Sequence, residues 1–225
     1  MAEESLADLL GGRRGAVEAS LPPIAFGVGW AAGSGSILVA VIAALTVGAA
    51  VSLWRLVRGD RPLAVLISLL GVCLAASIAL RTGEAVDFFL LQIVSNAASA
   101  LAWLVSIAIR WPLLGVVVGG LLGQRFRWRR DPALVRAYGW GSAVWVLQYA
   151  IRLAVFLPLF AANQVLALTA ARAALTWPLV AGCLAASWWV IRRTLPPGHP
   201  GLRHPVATTD VAAPLPSEPG DRTAH

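Results

Sequence analysis

Long uncharged apolar runs dominate this sequence and restrict what it can fold into. Three of them, Ala19 to Trp54, Leu63 to Leu80 and Phe88 to Ile109, contain no Asp, Glu, Lys or Arg. Each is long enough for a helix to cross a bilayer, which takes about 18 to 20 such residues. Only 13% of the 225 residues are charged, whereas soluble domains carry roughly 25%. The sequence therefore predicts a polytopic membrane protein and excludes a soluble globular domain.

Charged and proline-containing breaks divide the chain into segments that we interpret as transmembrane helices. The six segments are residues 21–32, 37–54, 62–80, 88–109, 133–160 and 163–191. The first segment is short and begins at Pro22-Pro23. Another apolar stretch, Leu113 to Leu122, would cover only about 15 Å as a helix, so we predict that it does not cross. The predicted fold is an all-α, polytopic membrane helical bundle of about six transmembrane helices and one short half-helix.

Two local patterns refine this prediction. Asp60 and Asp131 stand just before prolines at predicted helix starts, where an aspartate can accept hydrogen bonds from unpaired amides and a proline has no amide to leave unpaired. Gly115, Gly119 and Gly123 lie four residues apart in and after the half-helix. That spacing places small residues on one face and predicts close packing against another helix.

The distribution of arginine predicts the topology. All 18 basic residues are arginines, and with six crossings fifteen of them fall on the side of the N-terminus. Arg81 alone falls on the other side, while Arg152 and Arg172 lie inside apolar segments. Because basic residues concentrate in cytoplasmic loops, both termini are predicted to be cytoplasmic. The predicted divisions are a cytoplasmic N-terminal segment (1–20), a membrane domain (21–193) and a disordered cytoplasmic tail (194–225).

Aromatic and basic side chains mark the predicted cytoplasmic edge of the membrane. Five tryptophans fall at inner helix ends, as is typical of an interfacial belt. They are Trp54, Trp111, Trp128, Trp188 and Trp189. The run Arg125 to Arg130 alternates arginine with Phe and Trp. Beside a membrane, this pattern predicts binding of anionic lipids rather than of nucleic acid.

Two arginines within apolar segments are the strongest candidates for a functional role. If the fifth and sixth segments form a hairpin that turns at Ala162-Asn163, Arg152 and Arg172 each lie ten residues from the turn. They would then face one another about 15 Å deep. An ionisable group at this depth is costly and by default a candidate functional residue facing the bundle interior.

The expected partners of these arginines are acidic and amide side chains near the outer end of the bundle. Glu84 and Asp87, before the fourth segment, are predicted to compensate the arginines, with Asp87 as the direct partner. The neutral hydrogen-bonding groups are Gln92, Asn96 and Gln148. Together with Arg81, the cluster carries one more positive than negative charge. It is suited to a carboxylate, a phosphate or a lipid headgroup, which guanidinium groups bind through paired hydrogen bonds.

Two other interpretations of the arginines remain open from the sequence. In one, residues 161–172 form an outer interfacial loop, Ala173 to Ile191 is the last span, and Arg152 extends its side chain outward to the headgroups. In the other, the arginines are buried in ion pairs with acidic side chains, and these ion pairs have a purely structural role.

Motifs for catalysis are missing from the sequence. There is no nucleophile elbow, zinc-protease motif or carboxylate pair at helical spacing, and the three histidines all lie in the C-terminal tail. Cys73 and Cys183 fall inside apolar runs, where a thiol is typical of packing. We therefore expect no catalytic residue, no metal, no cofactor and no enzymatic activity.

Several stretches together resemble an actinobacterial family of integral membrane proteins, domain of unknown function 3159. They are Gly11-Gly12-Arg13-Arg14-Gly15, Pro22-Pro23-Ile24-x-Phe26, Arg81-Thr82-Gly83-Glu84-Ala85-Val86-Asp87-Phe88-Phe89-Leu90, Arg110-Trp111-Pro112-Leu113-x-Gly115 and Trp128-Arg129-Arg130-Asp131-Pro132. More distantly, the order of helices and basic turns is similar to the intracellular septation protein A family. That second resemblance implies a role in cell-envelope maintenance or division and brings no catalytic residues.

Two functions are consistent with the sequence. The first is a multi-pass protein of the inner (plasma) membrane that binds or transports a small anionic solute or lipid headgroup through the cluster of Arg152, Arg172, Glu84, Asp87, Asn96 and Gln148. The second is a non-transporting interaction protein of the envelope or division machinery, with envelope proteins as partners, in which the same cluster is structural. Both place the chain in a lipid bilayer.

Overall fold

The computed structural model describes residues 12–123, 126–196 and 201. Within these residues the protein is entirely helical, which confirms the predicted all-α class. The α-helices are α1 (Gly12–Ala32), α2 (Ile37–Val57), α3 (Pro62–Thr82), α4 (Leu90–Ala108), α5 (Leu113–Leu121), α6 (Pro132–Ala161) and α7 (Val165–Thr194). Short 3-10 helices cover Ala85–Phe89 and Arg127–Arg130. Most of the predicted tail and the first eleven residues lie outside the described ranges.

Five helices are long and apolar enough to cross a membrane: α2, α3, α6, α7 and the continuous stretch Ala85–Ala108. The protein is thus a multi-pass helical membrane protein. The sixth predicted crossing falls on α1, which is not among these five. Helix α1 does not begin at Pro22-Pro23 but at Gly12, with both prolines inside it. Helix α5 has only nine residues, in agreement with the predicted half-helix.

The two predicted aspartate caps have different outcomes. The Asp131 carboxylate accepts hydrogen bonds from the amides of Ala133 and Leu134, at 3.0 and 3.2 Å, and so caps α6 as predicted. The predicted cap by Asp60 is wrong, although α3 does begin at the following proline. Asp60 instead accepts a 2.9 Å hydrogen bond from Nε of Arg55. A charge-assisted bond of this kind is stronger than one to a neutral amide.

The chain forms two compact units, which share α4, α6 and α7. The first comprises Met1–Ala102 and Trp145–Ala185, and the second comprises Trp103–Val144 and Ala186–His225. In the first unit, α1 packs on α2 and α2 packs on α3. Its apolar core includes three phenylalanines: Phe26 of α1 stacks on Phe88 with ring centroids 4.0 Å apart and meets the edge of Phe89. Stacked and edge-to-face rings of this kind add to the energy of burial.

The second unit is organised around Trp128, which is fully buried. Its ring lies against Gly115 of α5 and meets Tyr138 of α6 edge to face, with centroids 5.5 Å apart. The prediction that Trp128 belongs to an interfacial belt is therefore wrong, because the 3-10 helix turns its ring inward. By contrast, Trp54, Trp188 and Trp189 are exposed, as lipid-facing residues would be. Gly115 packs against a tryptophan rather than against another long helix.

The positions of the helix ends allow the predicted topology to be tested. Reporter fusions after Gly59, Gly83, Gln124, Asn163 and the C-terminus are expected to read inside, outside, inside, outside, inside, because arginine-rich loops stay in the cytoplasm. The fusion after Gln124 is decisive, since it reports whether nine-residue α5 crosses. An extracellular signal there would reject both the half-helix and the cytoplasmic C-terminus.

Candidate functional site

The hairpin that carries the two intramembrane arginines forms as predicted. Helix α6 ends at Ala161 and α7 begins at Val165, with Asn163 in a left-handed conformation (φ 58°) at the turn. The alternative in which residues 161–172 form an interfacial loop is wrong, because residues 165–172 are the first two turns of α7.

Arg152 is held by backbone carbonyls and not by a carboxylate. Its Nη2 donates to the carbonyl oxygens of Leu175 and Thr176 in α7, at 3.2 and 3.3 Å. Pro178 lies just beyond them in the same helix. The carbonyl that Pro178 leaves without an amide donor is that of Ala174, directly before Leu175, and a proline ring loosens the turn that precedes it. Carbonyls in this turn are therefore suitable acceptors for an arginine inside a membrane.

Arg172 has a different environment, one turn earlier on α7. Its half-buried side chain lines a cavity of about 280 Å³ in the first unit. Among the described residues its guanidinium forms no ion pair within 4 Å, and Glu18, the carboxylate that also lines the cavity, pairs with Arg55 and Arg58 instead. The two arginines that looked equivalent in sequence are thus used differently: one joins two helices, and the other faces an open space.

The cavity extends from the apolar core to an ionic cluster. Phe88 and Ala75 belong to the core, while Glu18 and Arg55 belong to the cluster. The remaining lining residues are mostly small or polar: Pro22, Pro23, Gly48, Val51, Ser52, Ser68, Leu69, Gly71, Val72, Leu91, Gln92 and Ser95. Serine and glutamine side chains among small apolar ones can orient a polar ligand while still allowing it close contact.

Gln92 connects the cavity to the buried Asn96. Gln92 lines the cavity, and its Nε2 donates to Oδ1 of Asn96 at 3.2 Å. Asn96 is only 2% exposed, and its Nδ2 has no hydrogen-bond partner. Gln148 is also buried with an unpaired Oε1, but it does not line the cavity. Of the residues of the predicted cluster, Arg172 and Gln92 line the cavity, and Asn96 is linked to it through Gln92.

The predicted compensation of the arginines by Asp87 and Glu84 is not what the structure has. Neither carboxylate lies within 4 Å of Arg152 or Arg172 in the described residues. The Glu84 carboxylate accepts a 3.3 Å hydrogen bond from Nδ2 of Asn163, which ties the 3-10 helix to the α6–α7 turn. Backbone carbonyls take the place of an acidic partner at Nη2 of Arg152, while its buried Nε has no hydrogen-bond partner.

Sequence reasoning missed the ionic cluster at the other end of the cavity. Glu18 in α1 pairs with Arg58 at 3.1 Å and approaches Arg55 at 3.8 Å, and Arg55 also binds Asp60. One sequence feature could have indicated this cluster: Glu18 is the one acidic residue between Asp8 and Asp60, and it stands directly before an uncharged run. Because α1 continues upstream of its prolines, Glu18 lies on the helix and reaches the end of α2.

A metal site is not indicated by the described part of the chain, where no three His, Cys, Asp or Glu side chains cluster.

Comparison with known proteins is informative at the level of the family. No curated protein and no solved structure matches this chain. A family model described as protein of unknown function (DUF3159) matches residues 10–198, which is most of the sequence, and the chain therefore belongs to that family.

Proposed function

We propose that the cavity of the first unit binds a small anionic solute or the headgroup of an anionic lipid, with Arg172 as the residue that carries the charge. The observation that supports this proposal is that Arg172 lines the cavity and forms no ion pair among the described residues. Keeping such a cation in a membrane is costly unless something pairs with it. A bound anion would supply the missing partner and two parallel hydrogen bonds.

The charges around the cavity favour an anion over a cation. Arg172 and Arg55 contribute two positive charges to its lining and Glu18 one negative charge. Glu18 is in turn paired with Arg58, which does not line the cavity. The net charge of the lining residues is therefore positive, and the Glu18 carboxylate is already paired. Anions with a compact carboxylate or phosphate fit this balance and the small volume.

Binding without catalysis agrees best with the residues present. The cavity lining contains no His or Cys, and its one carboxylate is held in ion pairs. A reaction would need a positioned acid, base or nucleophile.

A matched pair of arginine variants tests the proposal. Arg172→Gln is expected to reduce the affinity for acetate or for dihexanoylphosphatidylglycerol by about 10- to 100-fold, which is the range for a lost charge-assisted hydrogen bond. Arg152→Gln removes the other intramembrane arginine, whose contacts are to α7 carbonyls. It is expected to lower the melting temperature in detergent but to leave the affinity unchanged.

Binding is measured by calorimetry on the purified full chain, with acetamide as the uncharged control. Acetate binding alone would indicate a solute, and phosphatidylglycerol binding alone would indicate a headgroup. If neither anion bound, or if Arg172→Gln bound both as well as the native protein did, the cluster would be structural. The non-transporting interaction protein of the envelope would then be the better hypothesis.

A further inference from the structure

A second cavity, in the second unit, is surrounded by arginines. Its volume is about 520 Å³ and its charged lining residues are Arg110, Arg129 and Arg136. The remaining lining residues are Ile107, Pro112, Pro132, Val135 and Gly139, so no acidic residue lines it. Three arginines therefore line one space, and no carboxylate is among its lining residues.

The backbone holds Arg110 in a conformation that disfavours it. Arg110 follows α4 with φ 53°, in the left-handed region. Its amide donates a hydrogen bond to the carbonyl of Ile107, and the amide of Trp111 donates one to the carbonyl of Ser106. Helix ends with this pattern usually have glycine at the left-handed position. A residue with a Cβ is disfavoured in this region relative to glycine. The chain thus carries a cationic side chain at a position where the backbone alone favours glycine.

The other two arginines are positioned by aromatic stacking and by helix α6. The guanidinium of Arg129 lies over the ring of Trp111, 3.9 Å from its centroid, and Phe126 packs edge to face on the same ring. This contact orients the cation without neutralising its charge. Arg136 lies in the second turn of α6, and all three arginines are exposed. The cavity can therefore be reached from outside the protein.

Two helices begin at the cavity: the N-terminus of α5 adds to its positive potential, whereas the Asp131 carboxylate offsets the N-terminal charge of α6. Pro112 precedes α5 and Pro132 is the first residue of α6, and both line the cavity. The first amides of these helices are already bonded, by Ser106 and Asp131 among others. The dipole of α5 therefore contributes electrostatically, while the arginines are left to make the direct hydrogen bonds.

We propose that this three-arginine cavity binds a dianionic phosphoryl group, either a phosphomonoester or a diphosphate. Three guanidinium groups with no acidic lining residue carry more positive charge than a singly charged anion would neutralise. A planar guanidinium group can also donate two parallel hydrogen bonds to phosphate oxygens. The cavity adjoins the ends of the membrane-crossing helices α4 and α6, where lipid headgroups lie. The phosphoryl group can belong to a lipid headgroup or to a free solute. This site is separate from the Arg172 cavity and does not depend on it.

The full chain in detergent tests this inference, with phosphatidic acid as a monoester probe and phosphatidylglycerol as a diester probe. Phosphatidic acid is expected to bind at least about tenfold more tightly. Arg110→Gly is the sharpest variant, because it removes a guanidinium while relieving the backbone. We expect it and Arg136→Gln each to weaken phosphatidic acid binding about tenfold or more without a loss of melting temperature.

Arg127→Gln is the matched control, since Arg127 is an exposed arginine of the same segment that does not line the cavity. It is expected to change the affinity less than about twofold. Equal losses in all three variants, or equal affinities for the monoester and the diester, would overturn the proposal in favour of nonspecific attraction. Arg172→Gln is expected to bind phosphatidic acid normally at this site, so failure of the first-unit proposal would not affect the result.

Competition by inorganic pyrophosphate distinguishes the two sources of the phosphoryl group. Displacement of phosphatidic acid by pyrophosphate would support a site that recognises the phosphoryl group alone, as a free solute requires. Retention of the lipid would support a lipid headgroup whose acyl chains add affinity. In both cases Arg110→Gly must lose binding, and retained binding would reject the site.

Discussion

Replacing Gly27 with alanine is expected to lower the free energy of unfolding in detergent by about 1 to 3 kcal/mol, the usual cost of overpacking a close contact. A Cβ at Gly27 of α1 would lie 2.6 Å from Cγ2 and 2.9 Å from Cβ of Thr169 in α7. The second atom is attached directly to the helix backbone, so it cannot rotate away. The two helices would have to separate near the Arg172 cavity.

Gly71→Ala in α3 is the matched control, because a Cβ there meets no atom within 4 Å. Alanine is favoured over glycine in a helix by up to about 1 kcal/mol, so the control is expected to be neutral or stabilising. The two changes therefore have opposite expected signs. Thr169→Gly should partly rescue Gly27→Ala, with a coupling of about 0.5 kcal/mol or more in a double-mutant cycle. A neutral Gly27→Ala would refute the close α1–α7 contact.

Gly115→Ala in α5 is expected to destabilise the second unit by about 1 to 3 kcal/mol as well. A Cβ at Gly115 would lie 2.8 Å from Cη2 of Trp128 and 2.9 Å from its Cζ3. Trp128 is fully buried and packed against Tyr138, so its ring has no space to move. Thermal unfolding in detergent is the measurement.

Gly120→Ala provides the comparison within the same nine-residue helix. Gly120 is exposed, and a Cβ there would meet nothing within 4 Å. We expect it to be neutral or slightly stabilising, for the same reason of helix propensity. Equal melting temperatures for the two variants would show that α5 does not pack on Trp128. The predicted glycine face of the half-helix would then have no structural role at Gly115.

The two membrane arginines illustrate how similar residues can have separate roles. Arg152 crosslinks α6 and α7 through carbonyls beside Pro178, whereas Arg172 is left facing a cavity. Loss of Arg152 would remove a contact between two helices, and loss of Arg172 would remove a positive charge from the cavity. The variants proposed above therefore separate stability from binding, which a single cluster of paired charges would not allow.

Much of the fold could be predicted from local sequence. Uncharged length identified the spanning helices, the prolines after Asp60 and Asp131 marked helix starts, and the shortness of Leu113 to Leu122 identified the half-helix. Each of these depends on interactions within one segment or between that segment and the bilayer. The hydropathy of a segment and the missing amide of a proline have the same effect whatever helices lie nearby. The positions of these helices can therefore be predicted without knowing their neighbours.

The partners of polar groups were decided by tertiary structure. The sequence placed Arg152 and Arg172 near Asp87, but helix rotation and the loosened turn before Pro178 gave Arg152 carbonyl acceptors instead. Glu18 reached Arg58 because α1 continues through its prolines. Which side chains meet depends on how far each helix is rotated and how closely the axes approach. Those quantities are set by contacts between segments distant in sequence, such as Gly27 with Thr169, and no single segment contains them.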